Sequence, residues 1–218
     1  MIEAERIFEA RDTLAESLAR DVAEELMRAI EAKGKATLAV SGGTTPKAFF
    51  SKLSKIDLPW QRVTVTLVDE RQVPETSERS NAKLVRDTLL VNRAAAAKFV
   101  PLADTDAAAA LPPFDVTVLG MGTDGHTASF FPGGDMLAEA VNGNTQARIV
   151  AMTAPGADEA RLTFTLPVLE ATGRLKLHIE GAEKRAVLEK ALKDGPTADL
   201  PVRAVLRSAT PMTLYWCP

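Results

Sequence analysis

An apolar β-type run, Asp115 to Leu119 (DVTVL), passes directly into a polar corner with Gly120, Gly122 and Gly125 that carries Asp124 and His126. A strand that empties into a glycine-rich corner is the joint from which open α/β sheets are built, and the carboxyl ends of such strands are where these folds place their chemistry. The same joint recurs on either side. Ala36 to Val40 (ATLAV) runs into SGGTTP, and Lys176 to Ile179 (KLHI) runs toward Gly181. Short, continuous apolar runs of this kind are expected for parallel strands buried on both faces.

Helical patterns fill the intervals. Leu14, Leu18, Val22, Leu26 and Ile30 recur every four residues with charges between them, and Gly34 is placed to end that helix. Ser80 or Asn81 can cap a helix through Leu90, and a helix of about a dozen residues is expected from near Glu183. Further strands are expected at Val63 to Val68, Phe99 to Leu102, Ala147 to Met152 and Thr213 to Trp216. Strict alternation of strands and helices implies an α/β chain, a three-layer Rossmann-like fold with a mostly parallel central sheet flanked by helices. The 218 residues contain no linker-like break, so residues 1–218 are expected to form one domain.

Composition excludes several classes of function. The net charge of -3 gives no general pull toward nucleic acid, although a local basic site for a small anion is compatible with it. Cys217 is the only cysteine, so no intramolecular disulfide can form, and it reads as an inert terminal thiol. Two histidines half the chain apart, with scattered acids, offer no metal-ligand spacing. The opening MIEAERIFEARD has neither a signal peptide's charge order nor an apolar run able to enter a membrane, so a cytoplasmic location follows by default.

Two local features, the Ser41 turn and Lys184, point to an anion, and a third, the charged strand end at Asp69, points to function without naming a ligand. Ser41, Gly42, Gly43 and Thr44 form a small-residue turn, with Thr45 as a candidate N-cap and Pro46 at the first helical position. Such a turn presents free backbone N–H groups to a phosphate. Asp69, Glu70 and Arg71 stand at a strand end, where α/β proteins keep working residues. Lys184 falls in a helix's first turn, where the helix already carries partial positive charge, and a bound anion would relieve that conflict. His178 alternates within an apolar strand and reads as a core or edge histidine outside the site.

Taken in order, SGGTTP at 41 to 46, VDERQVPETSERSN at 68 to 81, GMGTDGHTASFFPG at 120 to 133 and GAEK at 181 to 184 resemble the 6-phosphogluconolactonase family of the glucosamine-6-phosphate isomerase-like superfamily. The two middle patterns are the specific ones, and the four together span most of the chain. The resemblance implies hydrolysis of 6-phospho-D-glucono-1,5-lactone to 6-phosphogluconate, without a cofactor, by a monomer or weak homodimer. It puts the phosphate site on Ser41, Gly42, Gly43 and Thr44, with Arg71 and Lys184 as cationic partners and Arg161 as a further one. An imidazole at His126 can take a proton from the attacking water and return it to the departing ring oxygen. Asp124 would orient that imidazole, and the neighbouring glycine N–H groups are candidates for the oxyanion.

Two rivals remain at this level. An aldose–ketose isomerase or deaminase of the same superfamily would use Asp69 as a proton-abstracting base. Its DGH loop continues, however, into an Asn-Glu-Pro sequence whose glutamate assists ring opening, and Phe131 stands at the aligned position here. That leaves Asp69 structural, water-orienting or substrate-contacting. The second rival, a sugar-phosphate sensor without turnover, is disfavoured by the presence of both His126 and Asp124.

Overall fold

The computed structural model describes all 218 residues. Ten strands are present: β1 (Ile2–Ile7), β2 (Ala36–Val40), β3 (Val63–Leu67), β4 (Asp69–Arg71), β5 (Lys98–Val100), β6 (Val116–Leu119), β7 (Ile149–Met152), β8 (Arg161–Phe164), β9 (Arg174–Glu180) and β10 (Met212–Cys217). Eight α-helices accompany them: α1 (Arg11–Lys33), α2 (Lys47–Leu53), α3 (Asn81–Thr88), α4 (Thr105–Ala109), α5 (Leu137–Ala140), α6 (Leu166–Glu170), α7 (Ala182–Ala191) and α8 (Val202–Leu206).

Seven strands form a central sheet in the order β1-β10-β9-β6-β2-β3-β5, with every neighbouring pair parallel. Helices flank it, as the alternation of patterns requires. All five residues of β2 and all four of β6 are buried, which is why these strands read as unbroken apolar runs. Helix α1 buries Leu14, Leu18, Val22, Leu26 and Ile30 along one stripe. Each such side chain removed from water stabilises the fold by about 1.5–3 kcal/mol. Gly34 ends the helix in the left-handed conformation, its N–H donating to the Ile30 carbonyl. Fifty-six buried hydrophobic residues make one continuous core.

From β2 the chain moves outward through β3 to β5, then returns to lay β6 on the other side of β2. The order therefore reverses between β2 and β6, and a crevice opens outside their carboxyl ends. Strands β9, β6, β2 and β3 are consecutive neighbours. The segments that leave them begin at Gly181, Gly120, Ser41 and Val68, so four stretches far apart in sequence meet along one edge of the sheet.

Several details depart from the expectations above. The first strand, β1, lies at the sheet edge with five of its six residues exposed, so it shows no apolar run. A separate three-stranded antiparallel sheet, β4-β8-β7, stands beside the main one. It converts the Asp69-Glu70-Arg71 strand end into a strand of its own. Helix α2 starts at Lys47, not at Pro46, and Thr45 does not cap it: Pro46 occupies the N-cap position and no side chain bonds to the free N–H groups. Ser80 does cap α3, accepting from the Lys83 N–H at 3.2 Å.

Candidate active site

The crevice holds a cleft of about 310 Å³, lined among others by Ser41, Gly42, Gly43, Thr44, Asp69, Arg71, Asn81, His126, Arg161 and Lys184. Each residue assigned to the site from sequence lines this cleft except Asp124, which touches it through His126.

The Ser41 turn is fastened to the neighbouring strand. The Ser41 N–H donates to the Val118 carbonyl at 3.0 Å, and the Ser41 hydroxyl accepts from the Gly120 N–H at 3.0 Å. By contrast, the N–H groups of Gly42, Gly43, Thr44 and Thr45 donate to nothing within the chain. Four unsatisfied donors in one loop at the cleft wall suit an anionic oxygen cluster. Gly42 is glycine for a steric reason: a Cβ there would stand 2.0 Å from the Asn81 side-chain oxygen.

The antiparallel sheet supplies the cations. Register pairs Arg71 directly with Arg161 across β4 and β8. Like charges facing each other on adjacent strands repel, and an anion between them reverses the sign of that energy. Burial and then the nearby Arg71 charge draw the Arg161 guanidinium below its usual range, against the opposing pull of Asp69. The Nε atoms of both arginines are buried without a partner. The Asp69 carboxylate is 4.0 Å from Arg161 and accepts a 2.6 Å hydrogen bond from the Ser129 hydroxyl. From β9's side comes Lys184, in the first turn of α7, its ammonium 3.3 Å from the Thr45 hydroxyl. Burial lowers its pKa despite Glu180 and Glu183.

Glu70 works behind this wall. Its buried carboxylate accepts from the N–H groups of Arg71 (2.6 Å), Asn81 (2.8 Å) and Ala82 (2.7 Å) and from the Ser80 hydroxyl (3.2 Å). Burial pushes its pKa up, and those N–H donors hold it back. The start of α3 is thereby tied to β4. Asn81 in turn donates to the Asp69 carbonyl at 3.0 Å and accepts from Arg71 at 3.4 Å. Sequence reasoning named Glu70 only as part of the charged strand end and Asn81 only as a helix-cap candidate, and gave neither a place in the site, although both lie inside the quoted DERQVPETSERSN segment. Their signal was an acid and an Asx residue flanking a helix cap.

Asp124 and His126 form a pair, with His126 lining the same cleft. The His126 Nδ1 lies 2.6 Å from Asp124 Oδ1, which also accepts the His126 backbone N–H at 3.1 Å. Burial acts to raise the Asp124 carboxyl, but the His126 ring, its charge and its N–H outweigh that and hold it below the usual carboxylate range. An ionised carboxylate only accepts, so the imidazole proton belongs on Nδ1 and the Nε2 lone pair is left free. Gly122 makes room for the pair, since a Cβ there would sit 2.3 Å from the His126 ring and 2.6 Å from Asp124.

The expectation that the loop glycines provide oxyanion donors is not met. The N–H of Gly120 goes to Ser41, that of Gly122 to the His126 carbonyl and that of Gly125 to the Gly122 carbonyl. The Met121 N–H, at the cleft wall, has no acceptor in the chain. His178 is buried as expected and bonded to Glu180 at 3.1 Å, yet it also forms part of the cleft lining. No three His, Cys, Asp or Glu side chains converge so as to hold a metal ion.

Comparison with known proteins gives concordant matches. The profile of the family described as glucosamine-6-phosphate isomerases/6-phosphogluconolactonase matches residues 9–216. A 6-phosphogluconolactonase of Rhizobium meliloti is 54% identical over 226 aligned positions, covering 97% of each chain. One of Mesorhizobium japonicum is 48% identical and covers 97% of this chain and 94% of its own. Among solved structures, a 6-phosphogluconolactonase from Shewanella baltica superposes with a TM-score of 0.94 at 39% identity, covering 100% of both chains.

Proposed function

Since the chain belongs to the glucosamine-6-phosphate isomerase/6-phosphogluconolactonase family and hydrolyses 6-phosphogluconolactone, we propose that His126 moves the protons of that reaction. The observation that carries this reading is the Asp124–His126 pair, 2.6 Å apart, at the wall of a cleft also lined by Arg71, Arg161 and Lys184. The Nε2 lone pair takes a proton from water as its oxygen adds to the lactone carbonyl. The resulting imidazolium is stabilised by Asp124, and it returns the proton to the ring oxygen as the tetrahedral intermediate collapses. The free Met121 N–H is the backbone donor for the oxyanion, a role that in other enzymes is worth about 2.7–4 kcal/mol of barrier.

Anchoring falls to other residues of the cleft. The free N–H groups of the Gly42–Thr45 turn, with Arg71, Arg161 and Lys184, take the phosphate, and the binding energy of that remote group holds the lactone in its attack geometry. Asp69 acts through Arg161 and the Ser129 hydroxyl, fixing the guanidinium, and not as a proton carrier. No helix is long and apolar enough to cross a membrane. A cytoplasmic site of action and a monomeric or weakly dimeric state complete the proposal.

The test follows acid release from freshly prepared lactone in a pH-stat, with and without protein, beside a glucosamine-6-phosphate isomerase assay. We expect lactone turnover well above the buffer rate, no isomerase activity, and a roughly 100-fold or larger loss of turnover in His126→Ala. Full turnover in a folded His126→Ala would end the proton-transfer assignment, and sugar-phosphate isomerisation would end the lactonase one.

A further inference from the structure

One hydrogen bond does not fix an imidazole. The 2.6 Å contact to Asp124 Oδ1 sets the direction of the Nδ1–H bond but leaves the ring free to turn about that axis, carrying Nε2 with it. Both partners are partly open to solvent, with side-chain exposures of 32% for His126 and 41% for Asp124. Something else has to hold the plane of the ring.

Phe131 is that element. Its ring centroid lies 4.3 Å from that of His126 with the planes inclined by only 29°, a stacked arrangement. It is 3% exposed, so its own position is set by the core. It does not line the cleft. The same ring lies beneath the Arg161 guanidinium, whose Cζ is 5.3 Å from the centroid. One buried aromatic side chain therefore touches the proton carrier and one of the anchoring cations, which come from different segments of the chain.

We propose that Phe131 is a positioning residue of the hydrolytic reaction: its ring sets the plane of the His126 imidazole and hence the direction of Nε2. This rests on the reading of His126 as the proton carrier. Stacking confers planar register in a way an aliphatic side chain of similar volume cannot, because the preferred offset-stacked geometry depends on ring–ring electrostatics and dispersion. Arg161 keeps a second anchor in Asp69, 4.0 Å away, so loss of the Phe131 ring falls mainly on His126. The effect belongs in kcat, since proton transfer occurs in the transition state and not in substrate binding.

The experiment uses the full chain carrying Phe131→Leu, Phe131→Met or Phe131→Tyr, with folding checked by circular dichroism and thermal melting. In the two aliphatic variants kcat is expected to fall roughly three- to tenfold, the rate equivalent of an aromatic pair energy, with a smaller change in KM. Phe131→Tyr, which keeps a ring, should recover most of that loss. A second readout is independent of activity. The carbon-bound ring protons of His126, assigned by comparison with His126→Ala, should be shifted upfield by the Phe131 ring current and should move downfield in the aliphatic variants. Wild-type kcat in a folded Leu or Met variant would overturn the proposal. So would unchanged His126 shifts, failure of Tyr to recover turnover, or a KM rise as large as the fall in kcat. His126→Ala, assayed in parallel, separates the two levels. If it is inactive while the Phe131→Leu and Phe131→Met variants keep wild-type kcat, the positioning role alone fails. If it is fully active, the reading of His126 fails first.

Discussion

Replacing Asp124 by Asn tests the proton-transfer pair most directly, because it keeps the shape of the side chain and removes its charge. A hydrogen bond to a charged group contributes about 1.5–3 kcal/mol. Asp124 is 41% exposed at its side chain, so solvent screening places this one at the lower end. A loss of about 1.5 kcal/mol corresponds to roughly tenfold in kcat. The single variant alone does not say how Asp124 acts, since a direct contact with substrate could cost as much. A double-mutant cycle does. If the carboxylate works by orienting the imidazole and stabilising its charged form, it has nothing to act on once the imidazole is gone. The Asp124→Asn, His126→Ala double variant should then be no slower than His126→Ala, about 100-fold below wild type. Independent contributions would multiply to about 1,000-fold. Initial rates of acid release, corrected for spontaneous hydrolysis, separate these outcomes. A further tenfold loss on adding Asp124→Asn to His126→Ala would refute the pairing argument.

The same carboxylate predicts a pH dependence of stability. A carboxyl whose folded pKa is lowered adds stability above its unfolded value of about 3.9 and loses it as pH falls through the folded value. The Tm gap between wild type and Asp124→Asn should therefore be complete above about pH 5 and close below about pH 4; a gap independent of pH would count against it. Gly42→Ala should raise KM by roughly tenfold, the loss of about one charged contact, because its Cβ would meet Asn81 at 2.0 Å and displace a partner of Arg71. Saturation kinetics showing an unchanged KM would remove the steric argument. Lys184→Ala and Arg71→Ala should each raise KM by roughly 10- to 100-fold with a much smaller effect on kcat, and should weaken inhibition by inorganic phosphate.

What could be read from sequence follows from burial. Strands β2, β3 and β6 are buried almost throughout and announce themselves as apolar runs, whereas β1 exposes five of six residues and carries no such mark. The small sheet was hidden for a related reason: β4 has only three residues, all charged, and its identity as a strand comes from pairing with β8 nearly a hundred residues later. That pairing is also what places Arg161 opposite Arg71, a contact with no local signature. The alternation that marked His178 as a buried strand residue was right about burial but silent on the cleft above it. The glycine N–H groups failed as oxyanion donors because hydrogen-bond partners within a loop depend on its full trace, which composition does not encode.

The chemistry of a lactone accounts for how little the site contains. Its carbonyl is already electrophilic, and hydrolysis moves one proton off water and one onto the ring oxygen, so one base that becomes an acid suffices. Isomerisation of a sugar phosphate demands more, a base that removes a proton from carbon and an acid that opens the ring. The groups that could fill those roles are engaged otherwise. Asp69 accepts from Ser129 at 2.6 Å and faces Arg161, and the buried Phe131 beside His126 has no proton to give. What the cleft does provide beyond the Asp124–His126 pair is positive charge in a chain of net charge -3, gathered from β4, β8 and α7 at one sheet edge. In the proposed reading that charge serves binding and orientation while the pair moves protons, a division of labour that suits a phosphorylated lactone.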